Sequence, residues 1–126
     1  MLSFDEYGFN GSILKSLEEL SFKVPTDIQG RVIPEILSNN NDIIATAQTG
    51  TGKTAAFGLP IIKLTDNRNK NIECVILCPT RELCLQITND LNTFSKHMKY
   101  YRVVSIYGGA KSQVQIKNLK QNPKII

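Results

Sequence analysis

The sequence predicts an α/β fold built on a parallel sheet, and three observations carry that prediction. Short apolar, largely β-branched runs recur at residues 42–45 (DIIA), 74–78 (CVILC), 103–106 (VVSI) and 123–126 (PKII). Segments with apolar residues at helical spacing lie between them, the order in which right-handed crossovers join parallel strands. Two of the runs pass directly into a turn that opens the next helix, at residues 46–53 and 79–81.

Taken in order, Phe4, Tyr7 and Phe9 form an aromatic leader. Asn10 and Ser12 then offer N-caps for a helix through about Leu20, whose Ile13, Leu14, Leu17 and Leu20 make one apolar stripe. Residues 21–25 (SFKVP) break it. A second helix starts at Thr26 and turns Ile28, Val32, Ile33, Ile36 and Leu37 inward despite Gly30 and Pro34, and three asparagines return the chain to the first strand. A third helix is predicted over residues 53–64, with Ala56, Phe57, Leu59, Ile61 and Ile62 at helical spacing, followed by a polar loop over 65–71. Beyond the second strand, Thr80 caps a helix carrying Leu83, Leu85, Ile87, Leu91 and Phe94; beyond the third, Tyr107-Gly108-Gly109 turns into a short helix from Ser112 to about Leu119.

Composition narrows the class. The 126 residues support one compact unit, with 41% hydrophobic and 21% charged residues, ordinary for a soluble globular chain. No apolar run approaches the ~18 residues needed to cross a bilayer, so no membrane role and a cytoplasmic location are expected, with nucleus or nucleolus open for a eukaryotic source. The net charge of +4 is unevenly placed. Residues 1–42 hold three basic and seven acidic groups, whereas residues 96–126 hold seven Lys or Arg and no acid. A solvated lysine surface and a nucleic-acid face both fit that pattern. Cys74, Cys78 and Cys84 match neither a zinc spacing nor a disulfide framework, and His97 reads as a surface residue or a charge at a helix C-terminus.

The stretch that carries chemistry is Ala47-Gln48-Thr49-Gly50-Thr51-Gly52-Lys53-Thr54. It lies between a strand and a helix, where unpaired N–H groups and the helix dipole hold an anion through the backbone. Gly50 and Gly52 can take positive φ and let successive amides converge on a polyphosphate. Lys53 supplies a mobile charge for the β and γ phosphates, and the Thr54 hydroxyl suits Mg²⁺. A Gly/Thr-rich loop that merely caps a helix is the plainer alternative.

Ala47 departs from the general GxxxxGK[ST] pattern, but the run AxxxTGxGKT resembles motif I of the DEAD-box RNA helicases, where that Ala is usual. Residues 22–29 (FKVPTDIQ) resemble the family's Q motif, with Phe4 placed as its isolated upstream aromatic, although Ser21 replaces the usual Gly and Asp27 the usual second Pro. The resemblance implies that Gln29 pairs with the N6 and N7 edge of adenine, with Phe4 covering the base and Phe22 beside it. On their own, Gln29 reads as an exposed helix residue and the two phenylalanines as core aromatics. Pro79-Thr80-Arg81-Glu82-Leu83 resembles motif Ia and Gly108-Gly109 the family's GG element. Both are implied RNA-backbone contacts: a hydroxyl and a guanidinium at a helix N-terminus suit a phosphate, against a competing reading of Arg81 and Glu82 as capping and salt-bridge residues, and a simple turn is a compatible reading of the glycines.

The resemblance covers the whole chain and implies a P-loop NTPase of RecA-like fold with helices on both faces of its sheet, truncated to the front of the first domain. Residues 1–41 form the Q-motif helical region and 42–126 the core. ATP, Mg²⁺ and RNA are the implied cofactors and partner, together with a second RecA-like domain outside this sequence. The fragment alone is expected to bind nucleotide weakly, without RNA-stimulated ATPase, and could dimerise through its unfinished sheet edge. A naturally shortened non-catalytic nucleotide- or RNA-binding module is the alternative. A P-loop ATPase acting on DNA is a third reading, against which the Q motif and PTREL argue.

Overall fold

A computed structural model describes residues 2–126. After a single 3₁₀ turn at Asp5–Tyr7 come five helices: α1 (Gly11–Glu19), α2 (Asp27–Ser38), α3 (Lys53–Leu64), α4 (Arg81–Phe94) and α5 (Ser112–Leu119). Each coincides with a segment of helical period in the sequence. Their starts follow local chemistry. The Asn10 side chain accepts from the Ile13 amide at 2.9 Å, Thr80 Oγ1 accepts from the Leu83 amide at 3.1 Å, and Thr26 and Gln29 form a capping box.

The sheet differs from expectation. Among the described residues it consists of two isolated parallel bridges, Cys74 to Ile125 and Val103 to Ile125, so residues 124–126 lie between the other two segments. The parallel sense of both bridges agrees with the sequence reading, whereas the middle position of residues 124–126 is known only from the structure. Residues 42–45 form no bridge among the described residues; Ile44 is 97% exposed, and Val75 and Leu77 also face solvent. A buried strand requires neighbours to receive its amides, and this segment has none. Nor are helices seen on two faces of a sheet: α2 packs on α3, α3 on α4 and α4 on α1, while α5 contributes no buried residue. No helix among the described residues is long and apolar enough to cross a membrane.

One core joins these parts. Ile13 and Leu17 of α1, Ile33 of α2, Leu59 and Ile62 of α3, Leu91 of α4 and Ile125 are almost wholly buried, and Phe4, Tyr7 and Phe9 close one side. Polar ties pin the margins. The Lys124 ammonium, 6% exposed as a residue, meets Asn67 Oδ1 at 2.8 Å, the Asn69 carbonyl and Glu73 Oε1 at 3.2 Å. His97, just beyond α4, meets Glu19 Oε1 at 2.9 Å and so joins the ends of α4 and α1.

Two backbone details carry measurable consequences. Helix α1 ends with the Phe22 amide on the Leu17 carbonyl and Ser21 at φ +59°, a left-handed cap that glycine adopts freely and serine does not. Ser21→Gly is therefore expected to stabilise the chain by about 0.5–1 kcal/mol, read as a raised urea midpoint at unchanged slope. In the α3–α4 contact, a Cβ built on Gly58 would stand 2.4 Å from Leu91 Cδ2. Gly58→Ala gains about 1 kcal/mol of helix propensity but overpacks a core that charges about 1–3 kcal/mol for such intrusions. Net destabilisation is expected, and it should reverse sign in a Leu91→Ala background; equal effects in both backgrounds would refute the contact.

Candidate functional site

The loop 46–52 leads into α3, the one of the first four helices whose N-terminus is not capped by its own flanking side chains. Gly50 and Gly52 adopt φ +77° and +87°, as their roles in the loop require. A side chain at Gly50 would project into open space, whereas a Cβ on Gly52 would come within 2.3 Å of Gln29 Nε2. Gly52 is thus fixed twice, by its dihedral and by what lies behind it. The Thr51 hydroxyl donates to the Gln48 carbonyl at 2.7 Å, tightening the turn, and the Lys53 ammonium folds back onto the Ala47 carbonyl. Thr49, Gly50, Gly52, Lys53 and Thr54 line a cleft of about 570 Å³, with Phe22 across from them.

Gln29 sits directly behind this loop. It is 2% exposed, and both ends of its carboxamide are engaged. Oε1 accepts from the Thr26 amide at 2.9 Å, and Nε2 donates to the Gly52 carbonyl at 3.2 Å. The Thr26 hydroxyl adds a bond to the Thr51 carbonyl at 2.9 Å. Three hydrogen bonds around two residues therefore close α2's N-terminus and hold the loop. Gln29 is not the exposed helix residue that its sequence environment permits.

The aromatics divide. Phe22 reaches the loop's cleft, but Phe4 is 4% exposed and lies behind Phe22, with ring centroids 6.4 Å apart and planes at 29°. Its ring belongs to the core, lining a neighbouring cleft with Leu14 and Lys23.

A second group forms where residues 78 and 106 leave the extended segments. Pro79, Thr80, Arg81, Tyr107 and Gly108 line a cleft of about 300 Å³. Gly109, at φ +91°, approaches the Arg81 guanidinium so closely that a Cβ there would lie 2.7 Å from Nη1. The two segments read separately in the sequence as backbone-binding thus meet at one place, with Arg81 exposed and charged. Thr80 Oγ1 accepts from the Leu83 amide, which leaves its O–H to donate and a second lone pair to accept.

Some contributors escaped the sequence reading. Gln115 of α5 accepts from the Tyr107 amide at 3.0 Å and donates to the Tyr107 carbonyl at 3.1 Å, so it shapes the turn before the glycines; nothing in its local sequence marks it. Thr26 was legible, since T-x-x-Q is a capping-box pattern. Asp90 faces the 570 Å³ cleft from α4, and burial pushes its carboxyl above the ordinary range. Among the described residues no three His, Cys, Asp or Glu gather as a metal site.

Known proteins share this arrangement. The ATP-dependent RNA helicase CshA of Limosilactobacillus reuteri is 46% identical over 125 residues, covering 99% of this chain and 25% of that protein. The crystal structure of a DEAD box protein from Methanococcus jannaschii superposes with a TM-score of 0.87 at 39% identity, covering 99% of this chain and 34% of that one. The RNA helicase Prp28 of Chaetomium thermophilum, solved with ADP, gives 0.87 at 36% identity, over 100% of this chain and 31% of its own. The chain thus spans a quarter to a third of these relatives. The model of the DEAD/DEAH box helicase family matches residues 26–126, from the threonine that clasps the loop to the central extended segment, and the chain belongs to that family.

Proposed function

We propose that this chain is the nucleotide-gripping front part of an ATP-dependent RNA helicase, which unwinds or remodels RNA as ATP is bound and hydrolysed. The observation that carries this reading is the Gln29 carboxamide, held against the phosphate loop with half its hydrogen-bonding capacity unspent. A carboxamide has two acceptor and two donor positions; Thr26 and Gly52 use one of each. The remaining pair matches the amino and N7 edge of adenine, while guanine would present two acceptors there. The names of the relatives support the same assignment: CshA is called an ATP-dependent RNA helicase, and Prp28 was solved with ADP.

In this reading the amides that open α3 receive the phosphates and the Lys53 ammonium moves from Ala47 to join them. Bound Mg²⁺ would neutralise phosphate charge and polarise the transferred group. The hard oxygen of Thr54 fits such an ion, which would be held mainly through the nucleotide because no carboxylate cluster stands among the described residues. Phosphoryl transfer needs further charged groups to stabilise its transition state, so the chain by itself is assigned binding without appreciable hydrolysis. RNA lies along Pro79, Thr80, Arg81, Gly108 and Gly109 through its sugar-phosphate backbone, with low sequence specificity.

Titration with a fluorescent ATP analogue tests the loop: Lys53→Ala should weaken binding at least ten-fold at unchanged circular dichroism, and equal affinity would refute the assignment. Gln29 requires a comparison, because its removal also slackens the loop. Thr26→Val should weaken ATP and GTP alike. Gln29→Ala should in addition erase the preference for ATP, and a preserved preference would sink the adenine role.

A further inference from the structure

The three bridged extended segments run parallel, so the Arg81 and Gly109 cleft occupies one edge of the structure and the starts of those segments occupy the other. At that second edge lies a cleft of about 1030 Å³, lined by Arg68, Lys70, Lys99, Tyr100, Arg102 and Lys124. Its charge is mostly uncompensated. Lys124 is buried and paired with Glu73, and Asp66, the one carboxylate in the lining, keeps its charge while it receives a bond from the neutral Asn10 amide at 2.7 Å. Arg68, Lys70, Lys99 and Arg102 are exposed, and no carboxylate among the described residues pairs with them; Arg102 donates instead to Gln121 Oε1 at 2.9 Å.

Tyr100 stands among these cations in an unusual state. It is 79% exposed, its backbone sits at φ +67°, and the Lys99 ammonium lies 5.0 Å from its ring centroid. A left-handed backbone disfavours any side chain with a Cβ, and an aromatic ring in water gains nothing from burial. Glycine or asparagine would serve the turn with less strain. A residue kept at two local costs points to a use for its ring.

We propose that this cleft is a second binding site for single-stranded RNA, separate from the Arg81 and Gly109 cleft, with phosphates on Arg68, Lys70, Lys99 and Arg102 and a base stacked on Tyr100. Four free cations match a phosphate chain, and an exposed ring accepts any base without sequence preference. An acidic peptide would satisfy the cations but leave the ring without a partner. Because the site shares no residue with the phosphate loop, its hold on RNA is independent of nucleotide.

The test measures fluorescence anisotropy of a labelled twelve-nucleotide oligouridylate with the 126-residue chain in the absence of nucleotide. Tyr100→Gly relieves the positive φ, so its fold is safe, yet it should weaken binding about ten-fold, and Tyr100→Trp should retain affinity. Arg102→Ala and Lys99→Ala should each flatten the salt dependence by about 0.7 in the log–log slope. Unchanged affinity in Tyr100→Gly overturns the proposal, as does a polyglutamate peptide that binds the cleft as tightly as the RNA does and with the same loss in Arg102→Ala. Arg81→Ala separates the two faces: loss there alone leaves only the other cleft standing, and loss in Tyr100→Gly alone leaves only this one.

Discussion

The organisation of this molecule depends on a clasp between a helix start and a loop. Gln29 bonds to the Thr26 amide and the Gly52 carbonyl while Thr26 bonds to the Thr51 carbonyl. These bonds do the ordinary work of capping α2, but their second ends fall on the segment that begins α3. A loop of glycines and threonines has little to order it internally, and fixing its backbone costs conformational entropy that its own few contacts cannot offset. The clasp supplies the missing restraint from a buried position, where water competes poorly for its hydrogen bonds. It also explains why Gly52 tolerates no side chain.

Charge is divided with the same economy. The acidic first third of the sequence contributes the helices α1 and α2, and the basic remainder contributes the segments that carry Arg81, the paired glycines and the rim of the 1030 Å³ cleft. In the proposed function the loop 46–52 would hold an anion through its backbone amides, which leaves positive side chains free to concentrate elsewhere.

The helices were legible because each is written in its own residues, through apolar positions three and four apart and, for α1, α2 and α4, a capping side chain as well. Pairing between extended segments was legible only in its parallel sense. Whether a segment becomes part of a ladder depends on the neighbour it meets, and residues 42–45, strand-like in their sequence, meet none among the described residues. The candidate site shows the same division. Lys53, Gly50 and Gly52 announce themselves through a pattern, and the resemblance to a known family singled out Gln29 for adenine, without its bond to Gly52. That Phe4 lies in the core, that Arg81 touches the Gly109 turn and that Gln115 holds Tyr107 are facts of tertiary packing, which no local spacing encodes.

Gly58 and Leu91 bring α3 and α4 together without slack. One of these helices begins at the phosphate loop and the other at Arg81. A close-packed interface transmits displacement because it has no free volume to absorb it. The two helices therefore cannot slide past one another at that crossing, and their packing sets how far the loop before α3 stands from the turn before α4.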